Sequence, residues 1–196
     1  QFNSWREKLL KILSHVEAKI DFPEEDLPKD KHGLYEQMAA HRGHVARPFA
    51  ALLNSPEVAS SVALVGEQLR YVSPSISSEV REIITLTTAK ALKCQYIWTH
   101  HCHSAKEVGV RDEVVEAIRN GGRPRGLLPK ESVFIQFTQE LLEDKQVRDA
   151  TYGAVEHLLG RQAVVDLVVT IGYYTMLCLA INALQVNLEE GVAPNL

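Results

Sequence analysis

Glu131-Ser132-Val133-Phe134-Ile135-Gln136-Phe137-Thr138-Gln139-Glu140-Leu141 is the stretch that decides the fold class. Val133, Phe134, Phe137 and Leu141 are spaced one, three and four apart, which lays an apolar stripe along one side of a helix, whereas a strand would alternate with period two. Proline placement extends the reading outward, because an interior proline lacks the amide donor and clashes with the preceding helical turn. The eight prolines stand at 23, 28, 48, 56, 74, 124, 129 and 194, leaving two long proline-free tracts, 75–123 and 130–193. Start signals agree: Ser55-Pro56-Glu57 reads as a cap followed by proline at the first helical position, and Asp112 precedes the stripe Val114, Val115, Ile118. No segment shows sustained alternation with hairpin turns. The chain therefore reads as all-α, with helices at about 4–20, 33–41, 45–53, 56–71, 78–93, 96–108, 112–120, 130–144, 148–158 and 161–186. Asn120 to Gly126 reads as a loop whose glycines and proline make a structured bend; Arg123 and Arg125 there either meet an anion or keep the surface wet.

Of the 196 residues, 45% are apolar, enough for a sizeable core. The 21 basic and 25 acidic groups give a formal charge of -4, and 23% charged residues exclude both a disordered polyelectrolyte and a basic nucleic-acid binder. Cys94, Cys102 and Cys178 are too few for a disulfide framework, and residues 1–30 contain no signal-peptide pattern, so reduced thiols in a cytoplasmic setting are expected. Leu167 to Leu184 carries no charge over eighteen residues, the lower edge of a membrane span. Thr170, Tyr173, Tyr174, Thr175 and Asn182 inside it, and no flanking basic cluster, favour a helix buried all round in a core or subunit interface. Residues 1–30 differ in character: a capping box, Ser4-Trp5-Arg6-Glu7, opens an amphipathic helix, and Asp21 to Pro28 is acidic and extended. They read as an appendage and linker to a domain over 31–196.

Residues suited to chemistry gather around one helix junction: Glu82, Cys94, Tyr96, Trp98, His100, His101, Cys102 and His103. Glu82 lies on an otherwise apolar helix, twelve residues before Cys94, or about three and a third turns. It either faces inward, needing a partner or a raised pKa, or stands exposed beside Arg81 and Lys90. Cys94 precedes a helix N-terminus, where free amides and the helix dipole lower a thiol pKa; the alternative is a small buried hydrophobe. His101 follows seven residues later, two turns on and on the same side as Cys94, and an imidazole near a thiol or carboxylate is the minimum for proton transfer near neutral pH. His100 and His103 share a face, but neither Cys-x-x-Cys nor His-Glu-x-x-His completes a ligand set, so no metal is expected. Of Tyr96 and Trp98, on different faces, one lines a pocket and the other fills the core. Tyr173 and Tyr174, beside Gly172, either pack at an interface or close a pocket.

Glu82 followed by Cys94-Gln95-Tyr96-Ile97-Trp98-Thr99-His100-His101 resembles the carboxymuconolactone decarboxylase family, related to the alkylhydroperoxidase D-like proteins. Leu69-Arg70, Gly121-Gly122-Arg123-Pro124, Thr151-Tyr152, Val164-Val165-Asp166-Leu167, Gly172-Tyr173-Tyr174-Thr175 and Asn182 extend the likeness over about residues 34–190. The resemblance implies an antiparallel helical bundle assembling into homo-oligomers, trimers or hexamers; no cofactor, nucleic-acid or membrane partner is expected. It implies a proton-handling site at Glu82 and His101, with Cys94 beside them and Tyr96, Trp98, His100 and Arg123 facing a small substrate. A peroxide-reducing branch carries Cys-x-x-Cys, but here Ile97 stands in place of the second cysteine. Cys102 is poorly placed to resolve Cys94 without backbone movement. The decarboxylase branch is thus preferred over thiol-dependent hydroperoxide reduction or a non-catalytic oligomeric scaffold. It gives His101 the acid role, Glu82 an orienting or relay role, Tyr96 a donor role, and Arg123 the substrate carboxylate. Separately, His15 to Asp26 resembles a stretch of the GTPases that modify wobble uridine in tRNA, but the chain contains no Gly-x-x-x-x-Gly-Lys-Ser/Thr loop.

Overall fold

The computed structural model describes residues 46–72, 75–121 and 126–196, all helix, turn and loop, with no strand among them. The helices are α1 (Arg47–Leu52), α2 (Pro56–Glu67), α3 (Ser78–Ala91), α4 (Gln95–Glu107), α5 (Asp112–Asn120), α6 (Pro129–Glu143), α7 (Asp149–Leu159) and α8 (Arg161–Leu184). Their bounds fall within two residues of those expected, except that 56–71 divides into α2 and a wider π-helical turn, Gln68–Val72. The expected helices at 4–20 and 33–41, the appendage 1–30 and Arg123 lie outside the described residues.

The chain divides into two units between Gln68 and Leu69. In the first, α1 packs on α2; Pro48 and Pro56 sit in the opening turns, where a missing amide costs nothing. Ser55 occupies the cap position of α2, but its side chain makes no capping bond. In the second unit α3 is the hub, packing against α4, α5, α6 and α8, while α7 lies against α6 and α8. A helix surrounded in this way has no solvent face, and Arg81 to Ala89 are buried without interruption. Thr87 and Thr88 survive there because their hydroxyls donate to the carbonyls of Ile83 and Ile84, each at 2.7 Å. Ile84 and Leu86 of the hub, with Trp98, Phe137, Leu167 and Ile171, are among the largest fully buried side chains.

The cap of α5 is Arg111, with Asp112 already helical, where its charge favours the N-terminal dipole. The helix ends at Gly121, whose φ of 66° suits glycine. Helix α8 is not buried all round within the chain. Its inward face carries Leu167, Ile171, Tyr174, Leu177, Cys178 and Ile181, while Val165, Val169 and Leu179 remain exposed. By length and composition α8 is the one described helix able to cross a membrane; half of its most apolar stretch is buried in the chain.

Gln185, in the left-handed conformation at φ 55°, stops α8. The remaining segment returns across α4 and α5: Asn195 offers its carbonyl to Trp98 Nε1 at 3.1 Å and to Arg119 Nη1 at 2.6 Å. Trp98 is fully buried, and the Arg119 guanidinium lies over its ring at 5.4 Å. Trp98→Phe keeps most of the packing and removes one hydrogen bond. It is expected to lower stability by about 1 kcal/mol, read as a shifted urea midpoint with an unchanged slope.

Candidate functional site

The site begins with the hub helix. Because every face of α3 is covered, Glu82 cannot be an exposed stripe residue: it is 1% exposed, and its carboxylate needs partners. Helix α4 supplies one. His101 Nδ1 lies 2.5 Å from Glu82 Oε2, so the imidazole donates through Nδ1 to an ionised carboxylate and leaves Nε2 as its other reactive nitrogen. The π-helical turn supplies another, with Arg70 Nη2 at 3.7 Å from Glu82 Oε1. Burial raises the Glu82 pKa, but the His101 charge and hydrogen bond, with Arg70 and Arg81, outweigh it and hold the carboxyl below its ordinary range.

Tyr174 of α8 completes the cluster. Its hydroxyl accepts from Arg70 Nη1 at 2.5 Å, and its ring meets the His101 ring edge-on, centroids 5.1 Å apart. Burial raises its pKa against the pull of Arg70, so the phenol keeps its proton. Arg70 Nε, and Nε and Nη1 of Arg81, are buried donors with no hydrogen-bond partner among the described residues. Together these groups form a carboxylate-oriented imidazole beside a phenol and a guanidinium, a set able to move a proton and stabilise an anion.

The other sequence candidates divide. Cys94 caps α4 and is fully buried against Cys178 of α8. The Cys178 thiol lowers its pKa, burial opposes, and the Ile97 and Tyr96 amides add to the lowering, so both readings of Cys94 hold at once. Cys102 is only partly buried, and burial pushes its thiol up to about 11. Tyr96 and His100 turn to a second carboxylate, Glu189 of the C-terminal segment: Tyr96 Oη donates to Oε1 at 2.7 Å, and His100 Nε2 lies 2.8 Å from Oε2. Trp98 packs in the core. His103 is exposed and pairs with Glu107 at 3.3 Å. Among the described residues no three His, Cys, Asp or Glu side chains converge as a metal site.

Sequence reasoning assigned no role to Arg70, and named Tyr174 only as a residue at an interface or a pocket. For Tyr174 a signal existed, since Tyr174, Cys178 and Asn182 recur every four residues and share one helical face. For Arg70, twelve residues before Glu82 across a helix start, no periodicity applied.

The model of the carboxymuconolactone decarboxylase family matches residues 56–140. Three solved structures share the fold. A peroxidase-related protein from Silicibacter sp. TM1040 is 16% identical, with TM-score 0.72 over 88% of this chain and 92% of that one. A peroxidase-related protein with an alkylhydroperoxidase AhpD core, from Ralstonia eutropha JMP134, is 16% identical, with TM-score 0.70 over 89% and 97%. The debrominase Bmp8 without ligand is 15% identical, with TM-score 0.68 over 84% and 90%. Two curated relatives match a short N-terminal stretch. The tRNA modification GTPase MnmE of Pelagibacter ubique is 83% identical over 30 residues, 15% of this chain. That of Rickettsia akari is 67% identical over 27 residues, 14% of this chain. The chain spans only 7% and 6% of the lengths of these two relatives. The helices around α3 thus form an alkylhydroperoxidase D-like fold, and residues 56–140 match the model of the carboxymuconolactone decarboxylase family.

Proposed function

We propose that this chain is a lyase-type enzyme that decarboxylates a small unsaturated lactone acid, or a related carbonyl acid, by proton transfer. The observation that carries the reading is the buried 2.5 Å contact between His101 Nδ1 and Glu82 Oε2 beside the Arg70 cation. Loss of carbon dioxide sends the electron pair of the broken C–C bond into the conjugated carbonyl, giving a dienolate. Arg70 and the Tyr174 hydroxyl stabilise the developing oxyanion. His101 delivers a proton from Nε2 to carbon and regains one from water, while ionised Glu82 fixes the ring and stabilises its charged form. Arg70, whose Nε is buried without a partner among the described residues, takes the anion contact that the family likeness gives to Arg123. Tyr96 and His100, held by Glu189, border the reacting groups rather than donate to the oxyanion.

The exposed apolar face of α8 supports assembly into a homo-oligomer, and three free cysteines support a reducing, cytoplasmic setting. Incubation of the full chain with carboxymuconolactone, followed by carbon dioxide release and ultraviolet detection of the enol-lactone, tests the activity. Stoichiometric release is expected. Product without carbon dioxide, or no turnover of this and related γ-carboxy lactones whose double bond conjugates with the carbonyl, would sink the reading.

A further inference from the structure

Two side chains of the hub helix carry polar atoms that neither the fold nor the proposed reaction uses. Arg81 is 7% exposed, and its Nη2 donates to Ser78 Oγ at 2.9 Å, one turn back on α3. Its Nε and Nη1 are buried with no hydrogen-bond partner among the described residues, and so is Oγ1 of Thr85, a residue 0% exposed. Thr85 departs in this from Thr87 and Thr88 of the same helix, whose hydroxyls donate to the carbonyls four residues back. At about 100° per residue, Thr85 stands one turn beyond Arg81 and about 40° round the helix from it, on the side of Glu82. Ser78, Arg81 and Thr85 thus line one stripe of α3, alongside the carboxylate that orients His101.

The charges around that stripe do not balance. Arg70 and Arg81 are permanent cations, and Tyr174 keeps its proton. Glu82 is the single carboxylate that ion pairs and hydrogen bonds among the described residues bring to the cluster. One positive charge is left over with His101 neutral, and two with it protonated. A buried guanidinium without a full counter-charge is costly, and four buried donors without acceptors, Arg70 Nε among them, add to that cost. A carboxylate answers both deficits, since it brings a negative charge and acceptor oxygens together.

We infer that Arg81 and Thr85 form an anion subsite that holds a carboxylate the substrate keeps. Which carboxylate this is follows from the reaction, and so rests on the decarboxylation reading. A carboxylate that leaves as carbon dioxide gives up its charge in the transition state, so a guanidinium on it would favour the ground state and slow the step. A retained carboxylate stays charged throughout, and Arg81 binds it equally before and during the reaction. The substrate class is therefore a lactone or carbonyl acid with a second carboxylate on an arm. No separate entry is required. Glu82 and His101, 1% and 8% exposed, are as enclosed as Arg81, so the motion that admits the reacting carbons also admits the arm. Arg70 is the more accessible wall, its side chain 20% exposed in the π-helical turn beside the exposed Tyr71 and Val72.

The test separates the subsite from the chemistry by using a ligand that cannot react. The full chain is titrated calorimetrically with (5-oxotetrahydrofuran-2-yl)acetate, a saturated lactone whose arm carries its one carboxylate, and with the corresponding primary amide. Wild type is expected to bind the acid about tenfold or more tightly than the amide, the worth of a charge-assisted hydrogen bond. Arg81→Gln should bring the two affinities together, and Arg81→Lys should restore much of the difference because it keeps the charge. Thr85→Val should weaken the acid more than the amide, and it carries the same comparison if Arg81→Gln unfolds. Equal affinities for acid and amide in wild type, no binding of either, or a preference that survives Arg81→Gln would overturn the inference. With a diacid that is turned over, the Arg81→Gln loss is expected in KM; a loss confined to kcat would place Arg81 at the reacting carbon and count against the subsite. Carbon dioxide release that fails while the acid preference persists would remove the decarboxylation reading and support the subsite.

Discussion

His101→Gln lowers turnover of a carboxymuconolactone-type acid about a hundredfold or more, the usual worth of a positioned general acid. The expectation rests on geometry, because only one ring nitrogen of His101 is spent on Glu82 and the other remains to exchange a proton. Glutamine can keep a donor near Glu82, yet it cannot become a cation or deliver a proton at neutral pH. The loss should therefore fall on kcat, with KM little changed, because the interaction is made in the transition state. Steady-state kinetics on both proteins check this. Equal kcat values would remove the imidazole from the mechanism, and a loss confined to KM would make it a binding group.

Glu82→Ala is expected to cost about 3–5 kcal/mol of folding stability, the range for removing one member of a buried ion pair. A guanidinium cannot shed its charge, and Arg81 is 7% exposed with two unpartnered nitrogens, so the cost arises chiefly from Arg70 and Arg81 left without their carboxylate. Glu82→Gln keeps the volume and an acceptor oxygen and should cost less. The lowered Glu82 pKa also fixes the sign of the acid response. Below about pH 4.3 the unfolded chain binds the proton before the folded one does. The Glu82 contribution is thus complete above that pH and is lost as pH falls through the depressed folded value. Urea midpoints between pH 7 and pH 3 should decline more steeply for wild type than for Glu82→Gln. Parallel curves would show that the carboxylate gains nothing from its partners.

The two arginines illustrate what a sequence conveys about a site. Arg81 and Glu82 are neighbours on a helix whose apolar pattern runs through Val80, Ile83, Ile84 and Leu86, and periodicity left Glu82 either buried or exposed. Covering α3 on four sides removed the second possibility. Arg70 lies in a π-helical turn, where an extra residue per turn re-aims side chains relative to α-helical spacing, and so it entered the cluster unannounced. Tyr96 and His100 show the converse. Their place on α4 was legible, but Glu189, a residue far along the chain in an irregular segment, took their polar groups.

Helix positions were determined by the sequence alone, because proline exclusion and the 3.6-residue apolar repeat act locally and read directly along the chain. The pairing of Glu82 with His101 was anticipated from the family likeness. Its partners Arg70 and Tyr174, and the meeting of Cys94 with Cys178, were decided only by tertiary packing. Which turn of α8 faces which turn of α4 depends on the register of two helices separated by more than 50 residues of chain, and no local spacing encodes that register.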